Sequence, residues 1–156
     1  VPPQVWLLVG LVTTWLLLWL FVGHLTSVLT GWRRLAGRYR LTGHFHGTRH
    51  RFRTCRFRWG KYGHSVTVGT SADGLYFALT LPILAGHPPL FIPWADVSVT
   101  PVRVWFFRYV EFRFAQAPSV PIRVPESLGK RIAADANRAW AVEEPGGEEH
   151  RPESTP

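Results

Sequence analysis

Methionine is absent from this 156-residue chain, cysteine occurs once, and acidic residues are scarce wherever basic ones are dense. The lone Cys55 excludes an internal disulfide and agrees with a reducing, cytoplasmic setting. No GxSxG, P-loop, GxGxxG or CxxC pattern occurs, so the familiar sequence signals of hydrolases, nucleotide enzymes and thiol oxidoreductases are missing. The most telling absence is longer. Between residues 5 and 29 there is no Asp, Glu, Lys or Arg.

At about 1.5 Å per residue, roughly 20 apolar residues cross a hydrocarbon core about 30 Å thick. Residues 5–29 exceed that length without a polar face, which predicts a single transmembrane helix. Thr13, Thr14, Thr26 and Ser27 can return their hydroxyls to carbonyls of the preceding turn, and are tolerable in lipid for that reason. A cleaved signal peptide would want a basic n-region, a shorter apolar core and a small-x-small cleavage site, none of which is present. Residues 1–4 carry no charge, whereas Arg33, Arg34, Arg38 and Arg40 follow within the window of the positive-inside rule. This places the N-terminus outside and the larger C-terminal part in the cytoplasm. The chain begins on Val1, and charged residues ahead of it would weigh on that orientation. Trp6 and Trp32 are expected in the two interfacial belts, with His24 as a neutral side chain near the headgroups.

The remaining length suits one small domain. Residues 31–142 hold 17 Lys+Arg against 5 Asp+Glu, a net of +12, whereas residues 143–156 hold one Arg against five Glu, a net of −4. That acidic tail has nothing apolar to bury and is expected to be disordered.

Alternation of apolar and polar residues predicts about seven short strands. Tyr39, Leu41 and Phe45 alternate with Arg40, Thr42, His44 and His46; residues 51–59 form a second strand whose parity changes between Phe52 and Phe57, which suggests a bulge or a weakly buried face. Further strands fall over 64–69, 75–80 and 90–92 continuing through Val97 and Val99, with a loop over 82–89 and a hairpin connection over 101–107. In 109–114, Val110, Phe112 and Phe114 point inward and Tyr109, Glu111 and Arg113 outward; Val120, Ile122 and Val124 close the series. Pro125 then opens a helix with Leu128, Ile132, Ala136, Ala139 and Trp140 on one face. No internal repeat is evident.

Strands followed by one closing helix resemble a pleckstrin-homology or GRAM-type barrel. Gly31-Trp32-Arg33-Arg34-Leu35-Ala36 after a membrane helix, Gly74-Leu75-Tyr76, residues 86–94 (GHPPLFIPW) and residues 118–123 (PSVPIR) resemble a group of uncharacterised bacterial single-pass membrane proteins. That resemblance covers nearly the whole chain except the acidic tail and implies an inner-membrane location, without implying a biochemical activity.

The basic run carries the first candidate site. Between Gly31 and His64 there are ten Lys+Arg and no acid. Near an anionic leaflet each cation gains on the order of 1 kcal/mol. Trp32, Arg33, Arg34, Arg38 and Arg40 are therefore the expected membrane-surface contacts. Pro88, Pro89, Phe91 and Trp94 lie in a proline-stiffened loop that is foremost a turn delivering a strand to the barrel; the alternative reading makes them partner contacts on an exposed hydrophobic edge. Arg51, Arg53, Phe57 and Trp59 interleave cations with aromatics as nucleic-acid binders do, but no recognition motif accompanies them and no nucleic acid is expected. His44 and His46 share a strand face with His50 nearby, yet surrounding arginines and the lack of acids oppose a metal. Arg53 and Arg56 would lower the Cys55 thiol pKa, but a lone strand cysteine is a weak nucleophile signal.

These readings assemble into an α+β protein, with an extracytoplasmic terminus (1–4), a transmembrane helix (5–29) and a basic juxtamembrane linker (30–37). A mainly antiparallel PH-like β-barrel with its C-terminal helix (38–142) and the acidic tail (143–156) complete it. The expected function is a non-enzymatic binding or scaffold module at the anionic membrane face, with no cofactor or metal. The alternatives are an accessory subunit of a larger membrane complex, in which Trp15 and Trp19 face a neighbouring helix, and a thiol- or metal-dependent enzyme.

Overall fold

The computed structural model describes residues 2–57, 60–79 and 86–137. Helix α1 runs over Pro3–Leu29, starting on a proline whose missing N–H costs nothing in a first turn. It is the one helix among the described residues long and apolar enough to cross a membrane. Thr13 and Thr26 do return their hydroxyls to the carbonyls of Val9 and Val22. Gly31 then adopts φ +83°, the left-handed conformation that glycine takes without penalty, and the chain turns into helix α2, Trp32–Tyr39.

Helix α2 corrects two expectations at once: a linker over 30–37 and a strand beginning at Tyr39. Trp32, Leu35 and Tyr39 form a helical apolar stripe and all three are buried. Strand pairing past Tyr39 is limited to one bridge, Arg40 to Leu90, after which Gly43 at φ +107° turns the chain away.

The described strands are β1 (Thr48–Phe57), β2 (Gly60–Thr70), β3 (Gly74–Leu79), β4 (Leu90–Pro93), β5 (Val97–Val104), β6 (Phe107–Phe114) and β7 (Ile122–Pro125). They form one antiparallel sheet in the order β4-β3-β2-β1-β7-β6-β5, curled into a half-barrel. Its two edges, β4 and β5, are consecutive in the chain. A 3-10 turn at Trp94–Asp96 separates them, so the single strand expected from Leu90 through Val99 is two. Pro101 lies within edge strand β5, where its missing N–H is tolerable, and the 101–107 connection shrinks to a turn at Trp105 and Phe106. The bulge in β1 is where the parity change placed it: the register slips on both sides of Arg53, and Phe52 takes φ +56°.

One cluster forms the core. Val66, Val68, Leu75, Phe77, Phe112 and Ile122 from the sheet meet Trp32 and Leu35 of α2 and Leu128 and Ile132 of helix α3, Glu126–Asp135. Each such side chain contributes about 1.5–3 kcal/mol by leaving water. Gly129 lets α3 approach the sheet, since a Cβ there would stand 2.5 Å from Val110 Cγ2. Ala139, Trp140 and the acidic tail lie outside the described residues.

Glu111 departs from its expected outward, solvated position. It is 2% exposed, and its two carboxylate oxygens each accept a 2.6 Å hydrogen bond, from Arg113 Nε and Arg123 Nε. The sheet register creates this pairing, because Arg123 is the cross-strand neighbour of Glu111 and Arg113 is two residues along the same face. Burial works to raise the Glu111 carboxyl, but the bonds and charges of Arg123 and Arg113 outweigh it and hold the group below the ordinary value of 4.5. The contribution to stability is therefore complete above pH 4.5 and is lost as pH falls through the lower folded value. Glu111→Gln should cost about 1–3 kcal/mol at pH 7 and flatten the acid limb of the stability curve. Chemical denaturation in detergent across pH 2–7 checks it (roughly the carboxylate range), and an unchanged acid limb would contradict the pairing.

Candidate functional site

The end of α1 is built into the domain. Gly23, Ser27 and Thr30 are buried, although most of the helix is exposed. Ser27 Oγ donates to the Gly86 carbonyl at 2.8 Å, rather than to its own helix as expected. Thr30 Oγ1 lies 2.9 Å from Tyr62 Oη, which lies 2.8 Å from His87 Nε2. Burial pushes the Tyr62 phenol up, against the opposing pull of the Thr30 bond, so the hydroxyl remains a neutral partner in this run.

Helix α2 is fixed at both ends. Trp32 Nε1 donates to the Pro88 carbonyl at 2.9 Å, and its ring meets Phe57, Tyr62 and His87 at centroid distances of 5.2, 6.0 and 5.4 Å. At the other end Tyr39 Oη donates to Asp96 Oδ2 at 3.0 Å and accepts from the Gln116 backbone N–H at 3.0 Å. Trp32 is thus fully buried, which corrects its expected place at the membrane interface. The other side of α2 faces outward, with Arg33, Arg34 and Arg38 exposed and Arg40 just beyond. Arg33 reaches back to His24 Nε2 at 2.9 Å and Arg34 to Ser119 Oγ at 3.4 Å. Among the described residues no carboxylate forms an ion pair with any of these four arginines.

Two open clefts flank this face. One, of about 370 Å³, lies between α1, α2 and residues 86–88, and is lined by His24, Arg33, Gly37, Arg40, Gly86 and Pro88. The other, of about 480 Å³, has Arg38, Arg40, His44, His46, Asp73 and Gln116 on its walls. His44 and His46 stand on an irregular segment rather than a strand, held by Phe45, whose ring stacks on Tyr76 at 4.4 Å. His50 has gone elsewhere, to Asp135 at 2.7 Å. Among the described residues no group of three His, Cys, Asp or Glu is placed to hold a metal.

The proline-rich segment serves α1 and α2 more than the surface. Its Gly86 and Pro88 carbonyls take the bonds already described, Pro89 is exposed, and Phe91 is half-buried. Trp94 is buried, its indole N–H donating to the Ser71 carbonyl at 2.9 Å, which fits the structural reading of this segment and removes Trp94 from the alternative set of partner contacts. An exposed aromatic cluster stands at the β5–β6 turn, where Trp105, Phe106 and Phe107 are 84%, 85% and 67% exposed. Alternation could not reveal it, because it assigns aromatics to the interior. On α1, Trp15 and Trp19 stack with centroids 6.5 Å apart.

Comparison with protein families, with curated proteins and with solved structures returns no match to this chain.

Cys55 is fully buried, and burial pushes its thiol up to about 12, so the flanking arginines do not activate it. Iodoacetamide at pH 8 should leave the folded chain unmodified and label Cys55 on denaturation; rapid labelling of the folded protein would contradict this burial.

Proposed function

We propose that this chain is a single-pass membrane protein whose basic β domain is held at the anionic cytoplasmic face of a bacterial inner membrane, as a non-enzymatic binding or scaffold module. The observation that carries the reading is the placement of Arg33, Arg34, Arg38 and Arg40, without carboxylate partners among the described residues, beside a helix end that is itself part of the domain. Seventeen large apolar side chains of α1 stand exposed, from Val5 to Leu29, and only lipid or protein can cover them without large cost. Removal of α1 as a cleaved leader would strip Ser27 and Thr30 from their partners Gly86 and Tyr62. The antiparallel strands followed by α3 support the comparison with a pleckstrin-homology barrel, here as an open half-barrel.

The full chain should remain in the membrane pellet on alkaline carbonate extraction, and a C-terminal fluorescent protein that matures only in the cytoplasm should glow. In nanodiscs, α2 amides should exchange more slowly with anionic than with neutral lipid, the difference shrinking toward about 1 M salt. Carbonate release, a dark reporter or lipid-independent exchange would each contradict the corresponding part.

A second reading, an accessory subunit of a membrane complex, is favoured by the exposed Trp105-Phe106-Phe107 turn. A photo-crosslinker at Phe106 should then capture one reproducible membrane protein in intact cells, whereas recovery of uncrosslinked chain alone would remove it.

A further inference from the structure

The smaller cleft has features that a diffuse basic surface does not need. His24, Arg33 and Arg40 converge on it from α1, from α2 and from the residue after α2, and among the described residues no acidic side chain lines it. Its floor is small: a Cβ at Gly37 would meet nothing within 4 Å, and Gly86 sits at φ +89° with its Cα side toward the His24 ring. Four of the domain's cations are committed to carboxylates, Arg113 and Arg123 to Glu111, Arg108 and Lys130 to Glu126. Arg33 and Arg40 have no such partner among the described residues.

The Arg33–His24 contact has a defined polarity. A guanidinium has only donors, so His24 Nε2 must accept, and the ring proton sits on Nδ1. The side chains of the cleft therefore offer the Arg40 fork, the remaining N–H groups of Arg33 and one imidazole N–H, donors suited to phosphate oxygens.

Counted from Val5, where the charge-free run begins, at about 1.5 Å per residue, a hydrocarbon core about 30 Å thick ends near His24. Burial of α1 against the domain begins beside it, at Gly23. With α1 as the membrane span, His24 lies at the edge of the headgroup layer and the cleft opens toward the lipid phosphates.

We infer that the cleft between α1, α2 and residues 86–88 is a binding site for the phosphate of an anionic phospholipid headgroup, gripped by Arg33 and Arg40 with His24 as a further donor. The site rests on the reading of α1 as the membrane span, and deepens it from general attraction to a defined lipid position.

The test is native mass spectrometry of the detergent-purified full chain, loaded with phosphatidylglycerol or phosphatidylcholine. The wild type should retain phosphatidylglycerol preferentially. Arg33→Ala with Arg40→Ala should cut retention about tenfold, whereas Arg34→Ala with Arg38→Ala, an equal loss of charge outside the cleft, should change it by less than about twofold. Arg33→Lys with Arg40→Lys, which keeps the charge but not the forks, should fall between. Equal losses in the two alanine pairs, or full retention by the lysine pair, would overturn the site while leaving surface attraction standing. No preference for phosphatidylglycerol would overturn both. Displacement of the lipid by inorganic phosphate at about 10 mM, roughly tenfold above a millimolar Kd, would reassign the cleft to a soluble phosphate.

Discussion

Thr30, Tyr62 and His87 share a run of contacts 2.9 and 2.8 Å long, and through it the end of a membrane-length helix becomes part of a β-domain core. Ser27 adds a bond to Gly86, and Trp32, one residue past the Gly31 turn, closes the apolar side of the same seam. Polar groups buried together in this way are costly to separate, because each would be left without a partner. The position of α2, and with it the direction in which its arginines face, follows from this seam. A flexible linker would have left those arginines free to face anywhere.

Charge is divided in a consistent way. The few acids of the domain are used internally or at its edges: Glu111 between two arginines, Asp135 on His50, Glu126 beside Lys130 and Arg108, Asp96 at the end of α2. Among the described residues, none lines the cleft beside the α1 end. The arginines there keep their full charge for whatever lies beside α1, and in the proposed reading that is an anionic lipid surface. Each such contact is weak in water and screened by salt, so the arrangement gains from having several cations fixed on one short helix.

Elements with a regular local pattern were legible in advance. The alternation in β6 and β7, the parity change in β1 and the apolar spacing of Leu128 and Ile132 each reappear in the structure. Helix α2 was not legible, because eight residues that include three arginines and a glycine read as a linker until the burial of Trp32, Leu35 and Tyr39 is known. Glu111 was misplaced for a different reason: its partner Arg123 is set by the β6–β7 register, which no local pattern encodes. The arginines of the candidate site were found from charge alone. His24, Gly37 and Gly86, which turn two of them into a cleft, come from segments far apart in the chain.

The central claim is that the seam sets α2 at the membrane surface, and a depth measurement tests it most directly. Nitroxide labels at Arg34→Cys and Trp105→Cys can be compared in anionic nanodiscs, with Cys55 buried and unreactive. Residues 107–114 of β6, at about 3.4 Å per residue, separate the tip from the sheet end near α1. The account predicts that the Arg34→Cys label lies at the level of the lipid phosphates, partly shielded from a water-soluble relaxation agent. Equal and full exposure of both labels to that agent would contradict it.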